Sequence, residues 1–187
     1  MLTAVENLKE TLKVSGKPDR LVNDYEAFGI VDKDPIYVLT RGNRVKGKTT
    51  KDAWGVTIAW PEEQLYAFPT EQDKVCPDIT EWKDTVKIPD LAGKCSDPAL
   101  WKDAIAQAEQ FRKEGKLVTA YMGTGIFEQS HDLMGMADAC MNLLLEPEDM
   151  HDLLDAIGEY RYQYAKLLIE NIHPDAILSH DDWGSKT

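Results

Sequence analysis

The stretch of sequence that decides the fold is residues 117–134, LVTAYMGTGIFEQSHDLM. Its first six residues, 117–122, predict a buried strand, and the residues from Phe127 to Leu145 predict a helix. Between them, Gly123 and Gly125 predict a tight strand-to-helix turn. They do not form a dinucleotide fingerprint, because Glu128 stands where that motif has its third glycine. Strand, glycine turn and helix in succession form a βα unit.

The flanking segments extend this unit in both directions. On the N-terminal side, Asp97 is a predicted helix cap, with Pro98 in the first turn and Gly115 after the last turn. On the C-terminal side, a long helix begins at Pro147, ends before His173 and is followed by a short strand at residues 176–179. This alternation of helices and strands predicts an α/β fold with a parallel sheet and crossover helices.

The first part of the chain has weaker patterns. We predict a covering helix that ends before residues 16–18, two extended segments at 36–40 and 54–60, and a short helix at 78–86. No internal repeat or low-complexity tract divides the chain, so residues 1–187 are expected to form a single domain.

Composition limits the partners. Asp and Glu number 33 against 21 Lys and Arg, a net charge of −12, which disfavours nucleic acid and anionic membranes. No apolar run approaches the roughly 20 residues of a membrane span and no signal peptide opens the chain, so we expect a cytoplasmic protein. Cys76, Cys95 and Cys140 include no Cys-x-x-Cys pair and are predicted to be reduced thiols.

One basic stretch stands out in this acidic chain. Residues 41–51 contain five Lys and Arg residues among glycines and threonines. The stretch is compatible with a site for an anion or an acidic substrate, but its composition favours a solvated loop. The sequence leaves both interpretations open.

The strongest candidates for chemistry follow the last predicted strand. His180, Asp181 and Asp182 come directly after residue 179, and the carboxyl ends of parallel strands are where ligands bind in α/β proteins. Alternation along an extended chain predicts that His180 and Asp182 face one way and Asp181 the other. The alternative is a turn in which Asp182 caps the next helix. Glu128-x-x-His131 has the spacing of a di-iron ligand pair, but no second pair exists, so we predict no metal there.

Five segments, in order along nearly the whole chain, resemble the uroporphyrinogen decarboxylase superfamily and its methyltransferase-like branch. They are residues 54–56 (WGV), 78–83 (DITEWK), 122–136 (MGTGIFE followed by LMGM), 147–154 (PEDMHDLL) and 175–185 (DAILSHDDWGS). The resemblance implies a (β/α)8 TIM barrel with its active site at the carboxyl ends of the strands. Such a barrel needs roughly 250 residues, so we expect this chain to be a truncated, N-terminal half of it.

The resemblance implies two chemistries. Decarboxylases of the family hold a porphyrinogen with an arginine-rich segment that ends in Gly-Arg-Tyr, and residues 18–29 contain no such segment. The other branch consists of cobalamin-dependent methyltransferases, which move a methyl group between a corrinoid protein and a thiol or a small methylated compound. We therefore expect a corrinoid-dependent methyltransferase, with a uroporphyrinogen decarboxylase or a truncated, non-catalytic binding protein as the alternatives.

Cofactors, partners and site residues follow from the same resemblance. The corrinoid would be carried by a partner protein, and a zinc ion would need a His-x-Cys motif that these 187 residues lack. His180 and Asp182 would be catalytic, orienting a methyl donor or accepting a proton. A small-molecule substrate would contact four further residues: Tyr121, Met122, Glu128 and Trp183. A half-barrel exposes sheet edges, so we also expect a homo-oligomer.

Overall fold

The structure, a computed structural model, describes residues 1–182 as a mixed α/β fold. The strands in this part of the chain are β1 (Phe28–Val31), β2 (Lys48–Lys51), β3 (Thr57–Trp60), β4 (Phe68–Pro69), β5 (Leu117–Met122) and β6 (Ala176–Ser179). The α-helices are α1 (Ala4–Leu12), α2 (Asp24–Ala27), α3 (Pro35–Arg41), α4 (Trp82–Thr85), α5 (Leu91–Cys95), α6 (Lys102–Lys113), α7 (Ile126–Met134), α8 (Met136–Leu145) and α9 (Pro147–Ile172).

The central element is a parallel sheet with strand order β1-β5-β6. Ala120 in the middle strand pairs with Val31 on one side and with Ile177 on the other. The helices α7, α8 and α9 connect β5 to β6, which confirms the predicted alternation of helices and parallel strands. Within residues 1–182 each sheet has three strands and neither closes into a barrel.

The strands β2, β3 and β4 form a second sheet, in which both pairings are antiparallel. In the sequence, these three strands lie between β1 and β5. This sheet includes part of the extended segment predicted at 54–60, of which Thr57–Trp60 is a strand. The prediction of an extended segment at 36–40 is wrong, because these residues belong to α3. Asp34 caps that helix by accepting hydrogen bonds from the amides of Ile36 and Tyr37, and Pro35 occupies its first turn.

Local signals set the ends of the longer helices. The helix predicted over 127–145 is two helices, because Gly135 between them has a φ of +92° that interrupts the α-helical hydrogen bonding. Asp97 accepts a hydrogen bond from the amide of Ala99, as predicted, although the first turn is a 3₁₀ helix, Pro98–Trp101. The long helix α9 ends where predicted, with His173 in the left-handed conformation as its cap.

The core lies between the parallel sheet and the helices α6 and α9. Val31, Val118 and Ala120 of the sheet are fully buried in it, together with Trp101, whose Nε1 donates a hydrogen bond to the carbonyl of Cys95 at 2.8 Å. The close packing of α6 on β1 depends on Gly29, because a Cβ there would overlap the ring of Phe111. In the described part of the chain, no helix has both the length and the apolar character needed to cross a membrane.

Candidate active site

Three loops that follow β1, β5 and β6 meet at the carboxyl edge of the parallel sheet, and a cavity of about 40 Å³ lies among the side chains there. Part of its wall comes from α3, the loop that follows it, and the turn after β5. The ionisable and amide side chains that line the cavity are those of Tyr37, Arg41, Arg44, Asp52, Gln129, Asp132, Tyr160 and Tyr164. The cavity therefore lies where an α/β fold places its ligands.

Helix α7 positions the residues at this edge. Three residues separate it from β5, and its first turn binds the loop that follows β6. The carboxylate of Asp181 accepts hydrogen bonds from the amides of Glu128 at 2.9 Å and Phe127 at 3.3 Å. Gly125 leaves room for this contact, since a Cβ there would overlap the Asp181 carboxylate. A negative charge at a helix N-terminus is stabilising, so Asp181 caps the N-terminus of α7. The side chain of Asp182 has a different partner.

That partner is His131, whose ring lies between two carboxyl groups. Its Nε2 is 2.9 Å from Oδ2 of Asp182, and its Nδ1 is 3.4 Å from Oδ1 of Asp132. A carboxylate can only accept, so Asp182 holds the ring with a hydrogen on Nε2, and in the neutral ring Nδ1 then turns an acceptor towards Asp132. Asp182, His131 and Asp132 thus form a row in which each side chain contacts the next.

Asp132 is the group in this row that faces the cavity, and its surroundings favour the protonated form. Burial, followed by the negative charges of Glu128, Asp52 and Asp182, raises the pKa of Asp132 to about 8, although the Arg44 guanidinium acts in the opposite direction. A carboxyl group with such a pKa carries a proton at pH 7. The cavity therefore contains a side chain that can act as an acid.

A second His and carboxylate pair lies at the rim. His180 Nδ1 is 2.9 Å from Oε2 of Glu128, which also accepts a hydrogen bond from the amide of Gly125 at 3.1 Å. The hydrogen bond to Glu128 raises the pKa of His180 above its ordinary value. Because the His180 side chain is 53% exposed, this pair is screened by solvent and contributes little to stability.

This pair provides a titration test of the site geometry. In Glu128→Gln, we expect the pKa of His180 to fall, because the charge and the hydrogen bond that stabilise its imidazolium are lost. The measurement is an NMR titration of the His180 ring signals in both proteins. Glu109→Gln, which changes an exposed carboxylate on α6, is the matched control and should leave the value unchanged. An equal His180 pKa in the wild type and Glu128→Gln would contradict the arrangement.

Two buried polar groups in the cavity lining have no hydrogen-bond partner among the residues that the structure describes. They are Nε2 of Gln129 and the hydroxyl of Tyr160, in side chains that are 5% and 8% exposed. The Tyr160 ring is held edge-on against Trp54, with 4.9 Å between the ring centroids. Buried polar groups normally have partners, so these two indicate a position for a ligand or a water molecule.

Arg161 connects the turn after β5 to the end of β6. This α9 side chain is 8% exposed, and its Nη1 donates to the carbonyls of Gly123 and Thr124 while its Nη2 donates to the Ser179 hydroxyl at 2.7 Å. The planar guanidinium is suited to such a fork. It therefore fixes the positions of two of the three loops relative to each other.

A buried carboxyl connects the end of β1 to the same helix. Asp34 is fully buried, and its Oδ1 accepts a hydrogen bond from the Tyr164 hydroxyl at 3.1 Å. Burial raises the pKa of Asp34 to about 6. Together with Arg161, this contact makes α9 the element that positions the whole edge.

The structure brings together some of the residues that the sequence singled out and separates others. Glu128 lies in the first turn of α7, and His180 and Asp182 contact side chains of this helix. Tyr121 is half-buried, with its ring 5.3 Å from that of Tyr37, which lines the cavity. Met122 does not line the cavity and is part of the hydrophobic core. Trp183, the remaining predicted substrate contact, lies outside the described residues.

Sequence reasoning missed Asp132, Gln129 and Tyr160. The signal for Asp132 was present, since it follows His131 directly in the stretch that decides the fold. The signal for Gln129 and Tyr160 was absent, because an amide and a tyrosine on separate helices gain meaning only when tertiary packing buries them at one cavity. The basic stretch 41–51 contributes Arg41 and Arg44 to the lining, so part of it is more than a solvated loop.

Within residues 1–182, no group of three or more His, Cys, Asp or Glu side chains has an arrangement that could bind a metal ion. The described residues therefore do not fit a zinc ion. Cys76 and Cys95 are buried, Cys140 is exposed, and all three are free thiols.

No family model, curated protein or solved structure matches this chain. The case for function therefore depends on the site itself. Its main features are a carboxyl group with a raised pKa, a His and Asp pair behind it, and two buried polar groups without a partner among residues 1–182.

Proposed function

We propose that this chain forms part of a cytoplasmic methyltransferase of the uroporphyrinogen decarboxylase superfamily. In this proposal the sheet β1-β5-β6 is a section of a (β/α)8 barrel, and the enzyme moves a methyl group between a small methylated compound or thiol and a corrinoid protein. The parallel pairing and the polar cluster at the carboxyl ends of the strands support the barrel. The outer positions of β1 and β6 in the sheet support a homo-oligomer.

The observation that carries the proposal is the buried Asp132 carboxyl group at the cavity, where burial and neighbouring carboxylates raise its pKa to about 8. Removing a methyl group from an oxygen or nitrogen atom leaves negative charge on that atom, and the departure is faster if the atom receives a proton. Asp132 has a pKa of about 8, holds this proton at pH 7 and lines the cavity in which the atom would lie. In the reverse direction, the Asp132 carboxylate would accept the proton of the incoming group.

His131 and Asp182 position Asp132 and keep its proton available. Asp182 holds the imidazole in one orientation through Nε2, and Nδ1 faces the Asp132 carboxyl group. Asp182 is thus a positioning residue in this proposal, and the catalytic role that the sequence assigned to it is replaced by this indirect one. The roles of His180 as a catalytic residue and of Trp183 as a substrate contact stay predictions.

The corrinoid supplies the cobalt atom that takes up or releases the methyl group, and in this proposal the partner protein carries it. Arg41 and Tyr37 lie at the exposed side of the cavity, so the lining fits the approach of a partner from solvent. The residues of this chain would bind the small substrate, orient it and transfer its proton.

The test is a methyl-transfer assay with the complete protein, a corrinoid protein and a panel of methoxy, methylamine and thiol compounds. The change in the absorbance of the corrinoid measures the rate of methyl transfer. In Asp182→Asn we expect kcat to fall at least about tenfold, because His131 and Asp132 lose their orientation. The basic limb of the pH–rate profile should also move to lower pH, since the Asp182 charge helps to raise the pKa of Asp132. Asp155→Asn, an exposed change on α9, is the control.

Three results would count against the proposal. An Asp182→Asn profile identical to that of the wild type would remove the role of the His131 and Asp182 pair. Turnover of a porphyrinogen without corrinoid would favour a decarboxylase. Binding of the panel compounds without any turnover would favour the non-catalytic alternative.

A further inference from the structure

The lining of the cavity at the carboxyl edge is rich in hydrogen-bond donors. The amide nitrogen of Gln129 can only donate, and the hydroxyl of Tyr160 is free to do so, since both lack partners among residues 1–182. Asp132, which also lines the cavity, provides a third donor in the protonated form that its raised pKa favours. A ligand that satisfies these groups must therefore offer several acceptors.

Positive charge at the same cavity also favours a ligand that offers acceptor atoms. Within residues 1–182, Arg44 forms no ion pair, and its Nε donates to the backbone carbonyl of Arg41 at 3.2 Å. The guanidinium of Arg41 lies over the ring of Tyr37, 5.6 Å from its centroid. Both side chains line the cavity, although the protein as a whole has a net charge of −12.

The carboxylates of the lining do not cancel this charge. Asp52 turns its Oδ1 to the amides of Trp54 and Val56, at 2.9 Å each, so this acceptor is already used by the backbone. The raised pKa of Asp132 favours its uncharged form, so among the side chains of the lining the two guanidiniums face one carboxylate, that of Asp52. The side chains of the lining therefore carry more positive than negative charge and a surplus of donors, while the Glu128 and Asp182 charges that act on Asp132 belong to residues outside the lining.

We infer that this cavity binds the carboxylate group of a small monocarboxylic acid. One oxygen and the negative charge would face Arg44, and the other oxygen would accept from Gln129 and Tyr160, with the rest of the molecule against the rings of Trp54 and Tyr37. The inference rests on the proposed function, to which it adds the substrate class: a small methylated compound that carries a carboxylate.

The experiment compares acetate with acetamide, a neutral molecule of nearly the same shape. Binding of each ¹³C-labelled probe to the complete protein is followed by ligand-observed NMR at constant ionic strength. We expect acetate to bind at least tenfold more tightly than acetamide. Arg44→Gln should weaken acetate at least tenfold, and Tyr160→Phe, which keeps the ring against Trp54, should weaken it several-fold.

Lys102→Gln is the matched control for Arg44→Gln, because it removes the same charge from an exposed position on α6 and should leave acetate affinity unchanged. Equal affinity for acetate and acetamide would overturn the inference, and so would equal weakening by Arg44→Gln and Lys102→Gln. Tighter binding of inorganic phosphate than of acetate would assign the cavity to a different anion. Methyl transfer that acetate does not inhibit would overturn only this inference, whereas acetate binding without methyl transfer would overturn only the proposed function.

Discussion

Asp132→Asn is expected to lower the rate of methyl transfer by about 10²- to 10⁴-fold, the range that general acid catalysis usually contributes. Asparagine keeps the size of the side chain but has no acidic proton to give to the departing atom. Binding of the small substrate should change much less, because the side chain amide can still donate a hydrogen bond in the cavity. The measurement is kcat and KM in the corrinoid assay.

The same substitution, which lowers the rate, is expected to raise the free energy of unfolding at pH 8. The pKa of Asp132 is raised to about 8 by burial and by Glu128, Asp52 and Asp182. Between its ordinary value of 3.8 and 8, the folded protein holds a proton that the unfolded chain releases. The free energy of unfolding contributed by this group therefore falls as pH rises through that window, with a slope of up to about 1.4 kcal/mol per pH unit.

Asp132→Asn lacks this slope, so it should be more stable than the wild type at pH 8 and the difference should shrink towards pH 5. Asp34, whose pKa is about 6, contributes a slope of the same sign, but it is present in both proteins and cancels in the comparison. Urea unfolding at several pH values measures the difference. A difference that does not change with pH, together with an unaltered kcat, would mean that Asp132 is an ordinary ionised carboxylate.

Arg161→Met is expected to abolish the site while leaving a weaker fold. Its guanidinium donates to the carbonyls of Gly123 and Thr124 and to the hydroxyl of Ser179, and it is 8% exposed. Methionine fills a similar volume but leaves these acceptors without a donor, at a cost of about 1–3 kcal/mol for each one that stays buried. The turn after β5 and the end of β6 are then free to separate, so kcat and acetate affinity should both collapse.

Arg112→Met provides the matched control for this variant. Arg112 also uses its guanidinium to bind backbone carbonyls, those of Ile172 at 2.7 Å and His173 at 2.9 Å, but it is exposed and its partners lie at the end of α9, before β6. We expect a smaller loss of stability and normal ligand binding. Wild-type kcat in folded Arg161→Met would show that α9 does not position the site.

The two arginines illustrate the limit of sequence reasoning about this fold. Both lie on helices whose positions and spacing were predicted, the helix from Asp97 and the helix from Pro147. Neither was assigned a contact, because a helical pattern identifies the buried face of a helix without identifying the backbone groups that it meets. The error at residues 36–40 has a similar origin: a short apolar run reads as a strand until Asp34 and Pro35 are recognised as the start of a helix.

The sequence by itself determined four features after residue 96, although it missed the break at Gly135: the strand at 117–122, the glycine turn, the helix that His173 ends and the strand at 176–179. It also located the polar cluster after the last strand. These features follow from apolar periodicity, capping residues and glycine, which act within a few residues of one another.

Only the tertiary structure decided which of those polar side chains meet. Residues 180–182 bind along α7, some 50 residues earlier in the chain, because parallel pairing of β5 with β6 brings both carboxyl ends to one edge. Packing also decided that the pKa of Asp132 is raised and that Gln129 and Tyr160 are buried with polar atoms that no residue of the described range 1–182 satisfies. Burial and long-range charge depend on the whole fold, and a linear pattern of residues does not contain them.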